Sequence, residues 1–131
     1  MSDELKTQQV QAIAQGKALF NRGLVKETIA YYEGILASTN DNEALLSDKA
    51  FKCRLQVDFA RKLLEIELFE KAQVTLEQAE SDLGEIDRQN EKQTVAFWKV
   101  RYALGKLQFR SLYQQKALET FQALVEFCNQ L

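Results

Sequence analysis

The chain has 131 residues, of which 46% are hydrophobic and 27% charged, enough for one domain with a substantial core. Its net charge of −2 supplies no broad attraction for nucleic acid or an anionic surface, and it holds no run of about 18 apolar residues that could span a membrane. Zero prolines and five glycines disfavour an all-β chain rich in tight turns, while two cysteines without CxxC spacing and the polar opening Met1–Lys6 point to a reducing, cytoplasmic setting.

Helical periodicity then runs the length of the chain. A first helix is expected from about Asp3 to Asn21, ended by Arg22-Gly23 because glycine accepts the left-handed conformation that closes helices. A second follows from about Val25 to Ser38, with Ile29, Tyr32, Ile35 and Leu36 at spacings of three and four. The polar run Ser38–Asn42 reads as a loop. A long third helix is expected from Glu43 to Glu67, a fourth from Phe69 to about Gly84, a fifth from Gln93 to Arg110 and a sixth from Gln114 to Asn129.

Internal repetition groups these helices into pairs. The small residues Gly16, Ala60 and Gly105 stand 44 and 45 residues apart, and Thr28, Ala72 and Ala117 keep the same spacings. Four residues beyond the second set come Tyr32, Leu76 and Phe121, and further on Ala79 matches Leu124. Small residues at two matched positions let paired helices approach closely, so each unit reads as one helix crossing another. The expected units are about 9–42, 43–90 and 91–131 of a single domain, 1–131.

The stretch from Gly16 through Leu19, Gly23 and Thr28 to Tyr32 closely resembles the tetratricopeptide repeat, with a unit longer than the usual ~34 residues. Phe59-Ala60, Leu63, Phe69, Ala72 and Leu76 form a second copy, and Leu104-Gly105, Ala117, Phe121 and Leu124 a third. The resemblance implies an all-α fold of six main helices, three antiparallel pairs stacked into a right-handed superhelix. It also implies a non-catalytic role, an adaptor or chaperone that holds a peptide or amphipathic helix of another protein. In that family the first helix of each pair lines a concave groove. Carried across, the groove would comprise Ile13, Lys17, Phe20 and Asn21, then Arg54, Val57, Asp58, Arg61 and Leu64, then Lys99, Tyr102, Lys106 and Phe109. Lys17, Arg61 and Lys106 form a basic column beside the apolar column Phe20, Leu64 and Phe109, suited to an acidic and hydrophobic segment. The carboxylate clamp of chaperone-tail binders is not matched, since Ile13, Asp58 and Tyr102 stand at three of its places.

Catalysis has little to work with. There is no histidine, the scattered glycines form no phosphate loop, and pairs such as Glu65 with Glu67 read as solvated helix faces. Cys53 and Cys128 read as small buried hydrophobes. No cofactor or metal is implied. Trp98 is open between an interface anchor and a cover for the preceding unit. Finally, Phe121, Leu124 and Phe127 on the last helix give a second candidate docking surface, for self-association or for assembly into a larger complex. A peptide or small-molecule sensor is a further alternative.

Overall fold

A computed structural model describes residues 3–37, 43–84 and 89–130, so the expected loop at Ser38–Asn42 lies outside the described residues. Every described element is helical: α1 Asp3–Asn21, α2 Val25–Leu36, α3 Glu43–Leu46, α4 Lys49–Glu65, α5 Phe69–Leu83 and α6 Glu91–Gln130.

The turns that close α1 and α4 are the same turn, 44 residues apart. After α1, Gly23 takes φ +76°, its N–H donates to Phe20 O at 3.0 Å, and the Leu24 N–H donates to Leu19 O at 3.1 Å. After α4, Glu67 takes φ 64°, its N–H donates to Leu64 O at 3.1 Å, and Leu68 donates to Leu63 O at 2.9 Å. Both turns satisfy carbonyls that the helix end would otherwise leave unpaired. Leu24 and Leu68 then open the next helix with nearly the same backbone angles, φ −85° ψ 75° and φ −87° ψ 68°.

Packing follows the small residues. Gly16 lies against the ring of Tyr32, so close that a Cβ there would stand 2.6 Å from Tyr32 Cζ. Tyr32 in turn stacks on Phe59 with ring centroids 5.0 Å apart, linking α2 to α4. Ala60 and Ala72 are fully buried together with Leu63, Leu76 and Ala79, where α4 meets α5. Each fully buried leucine contributes about 1.5–3 kcal/mol through removal of apolar surface from water. Polar ties reinforce the contacts. Tyr31 Oη donates to Ala12 O at 2.6 Å, and Lys52 and Gln56 both reach Asp82, at 3.0 Å. The Cys53 thiol donates to Ala96 O at 3.6 Å, joining α4 to α6.

Three expectations are corrected. The long third helix is interrupted, because the Asp48 carboxylate accepts from the N–H groups of Ala50 and Phe51, at 3.1 and 3.4 Å, and starts α4 afresh. That side chain satisfies backbone donors a continuous helix would have used differently. The larger correction concerns the third pair. The expected fifth and sixth helices are one 40-residue helix, α6. Residue 112 occupies the place of Gly23 and Glu67, but it is a leucine within an unbroken helix, and no proline or glycine lies between Gly105 and Gln130 to stop it. Ala96, Val100, Ala103 and Leu107 bury the first half of α6 on α4 and α5. From Glu119 to Gln130 every side chain is exposed. Cys128 is therefore exposed, not buried, whereas Cys53 is buried as expected.

Candidate partner-binding groove

Helices α1, α4 and α6 share one face, and three clefts run along it. The first, about 310 Å³, is walled by Lys17, Phe20 and Asn21 of α1 and by Asp58, Arg61, Lys62 and Glu65 of α4. The second, about 420 Å³, lies between Arg61, Leu64 and Glu65 of α4 and Lys106, Leu107 and Arg110 of α6. Arg61 and Glu65 belong to both, so the two adjoin over the end of α4. The third, about 440 Å³, holds Arg54 and Val57 of α4 opposite Lys92, Val95 and Lys99 of α6, with Gln9 and Asp48 at its margin.

The period of 44–45 residues therefore brings Lys17, Arg61 and Lys106 into neighbouring clefts, with Phe20 and Leu64 beside the first two. Arg54, Val57 and Lys99 gather in the third cleft. Ile13 is buried in the core behind this face. Tyr102 is exposed but lines none of the three clefts, and the Phe109 side chain lies outside the described residues.

Charge distinguishes the groove from the rest of the molecule. Its clefts are lined by eight basic side chains (Lys17, Arg54, Arg61, Lys62, Lys92, Lys99, Lys106, Arg110) against four acidic ones (Asp48, Asp58, Glu65, Glu91), on a chain whose net charge is −2. Lys52, Lys71 and Arg101 carry the ion pairs among the described residues, with Asp82, Glu33 and Glu80. Lys17, Arg54, Arg61, Lys99 and Lys106 form no ion pair with any described residue, and the Lys106 ammonium lies over the Tyr102 ring, 5.4 Å from its centroid.

Lys62 and Asp58 give the first cleft its chemistry. The Lys62 ammonium lies over the rings of Phe20 and Tyr32, 5.6 and 5.7 Å from their centroids. Burial lowers its pKa, which Asp58 opposes and Lys17 reinforces. The Asp58 Oδ2 atom is buried with no hydrogen-bond partner, an acceptor set among three cations. Lys62 was not anticipated from the sequence. Its one signal there was the spacing of four from Asp58, which places both on the same flank of α4.

No family model matches the chain, and no curated protein or solved structure is significantly similar to it.

Proposed function

We propose that the chain is a tetratricopeptide-like adaptor or chaperone whose groove on α1, α4 and α6 holds an acidic, partly apolar segment of another protein. In this reading the helices form a right-handed stack of units, two of them paired and the third open, working without a cofactor in a reducing cytoplasm. The observation that carries it is the groove's charge: eight basic side chains against four acidic ones on a net acidic chain, with apolar Phe20 and Leu64 between them. Such a surface steers an acidic segment by long-range attraction and retains it by local apolar burial. Among the described residues no helix is long and apolar enough to cross a membrane.

The test is affinity capture with wild type, Lys17→Glu and Arg61→Glu, followed by titration of the captured acidic segment as a labelled peptide. Both residues are exposed, so the variants should melt like wild type while binding at least tenfold more weakly, with the difference shrinking at high salt. Equal binding by all three would remove the groove as the site. A second reading, an assembly subunit that docks through α6, is favoured by the exposure of Phe121, Leu124 and Phe127 at 65, 53 and 60%.

A further inference from the structure

The cations between α4 and α6 come in pairs, and the pairs repeat along the groove. Arg54 of α4 and Lys99 of α6 share the third cleft, while Arg61 and Lys106, each seven residues further on, share the second. Seven residues make two helical turns, about 10 Å along each axis, so the four cations form two rungs across the α4–α6 groove. All four side chains are exposed.

Apolar side chains stand between the rungs. Along α4 the order is Arg54, Val57, Arg61, Leu64, at spacings of three, four and three. Along α6 it is Val95, Lys99, Tyr102, Lys106, at spacings of four, three and four. These are the spacings of a helical seam that receives another helix. Each of the four α6 residues is followed by a buried one, Ala96, Val100, Ala103 or Leu107, so the seam borders the core without being covered by it. Val95 and Tyr102 are 45 and 62% exposed, and Leu64 is half-buried.

The rung spacing discriminates between ligand backbones. In an extended strand, side chains on one face recur at about 7 and 13 Å, and the residue about 10 Å along points the other way. In a polyproline helix one face recurs every three residues, about 9 Å, with nothing between to meet Tyr102. In an α-helix, residues seven apart lie on one face about 10 Å from each other, and a residue three or four on lies between them on the same face. An α-helix therefore sets an acid at each rung and an apolar side chain between the rungs.

Given that this groove is the binding face, as the proposed function holds, we propose that its ligand is an amphipathic α-helix laid along α4 and α6. Its acidic residues are seven apart, one at each rung, with an apolar residue midway between them, over Val57 and beside Tyr102.

The experiment titrates three synthetic peptides of equal length and net charge against the full chain. The first is a helix former with two Glu seven positions apart and Leu midway. The second has the same composition with the two Glu five apart, roughly 140° around a helix from each other. The third sets the two Glu three apart in a proline-rich, non-helical background. The first should bind at least tenfold more tightly than either of the others, and its helical circular dichroism should rise on binding. Replacing one of its Glu by Gln should weaken binding to wild type, and much less to the Arg54→Gln, Lys99→Gln double variant, which has already lost one rung. A second or third peptide that matches the first overturns the helical register, and leaves the groove as the binding face if Arg61→Glu still abolishes binding. No binding by any of the three also overturns it. Whether the groove reading falls as well is then read from capture by the Lys17→Glu and Arg61→Glu variants, which does not depend on these peptides.

Discussion

Residues 3–83 and residues 91–130 were built on one repeated pattern, yet they fold differently. In the first region, Gly23 and Glu67 leave the helical conformation at matching places and end α1 and α4, with Tyr32 buried against Gly16 and with Leu76, Ala60 and Ala72 fully buried. In the second, Leu112 stands at that place and the helix continues, so Gly105 faces open space and Phe121 faces solvent. The difference teaches that small and bulky residues at the right spacing do not make a helix pair by themselves. A residue that leaves the helical conformation at that place is also needed, and any residue with a Cβ costs about 1–2 kcal/mol at positive φ, as Glu67 does in the turn after α4.

The largest effect separating the two regions is expected from the core of the first. Leu63→Ala should lose about 2–5 kcal/mol in denaturant unfolding, because Leu63 is fully buried beneath the α4 turn. Gly16→Ala should cost about 1–3 kcal/mol, since its Cβ would press on a Tyr32 ring already stacked on Phe59. The same change at Gly105, which meets nothing within 4 Å, should instead stabilise by about 0.5–1 kcal/mol through helix propensity. Opposite signs at two matched glycines would be a sharp readout of the open third unit. Glu67→Gly should give a smaller gain, up to about 1 kcal/mol, by relieving the positive φ.

Acid sensitivity belongs to the first region as well. Burial pushes the Asp82 carboxyl up, but hydrogen bonds from Lys52, Gln56 and Gln78 outweigh it and hold the pKa below its ordinary 3.8. A folded-state value below the unfolded one means stability present above about pH 4 and lost as pH falls through the folded value. Asp82→Asn should flatten that part of the stability profile, measured by urea titrations across acid pH. The two thiols give the smallest and simplest contrast. Burial raises Cys53 to about 11, so an alkylating reagent should modify exposed Cys128 first and Cys53 only on unfolding.

Much of the first region was legible. Gly23 and Gly84 mark helix ends, and Gly16 lies against the ring of Tyr32, two residues that the repeated spacing singles out. The start of α4 was not, because a lone Asp48 within an otherwise helical run looks like any solvated carboxylate until its side chain turns back on Ala50 and Phe51. In α6, the same periodicity that suggested two helices carried no stop between them. For the groove, Lys17, Arg61 and Lys106 followed from the period. The contributions of Lys62, Lys92 and Gln9 depend on how neighbouring helices lean together, which spacing along one helix does not encode.

The most direct measurement is the distance between spin labels at positions 105 and 121 in a Cys128→Ser chain, diluted with unlabelled protein so that only pairs within one chain are read. A continuous α6 separates the two positions by about 24 Å along its axis. A distribution centred near that value, with label length added, is the result expected. A dominant population near 10 Å, the spacing of two packed helices, would mean that α6 folds back into a third pair and would contradict the account.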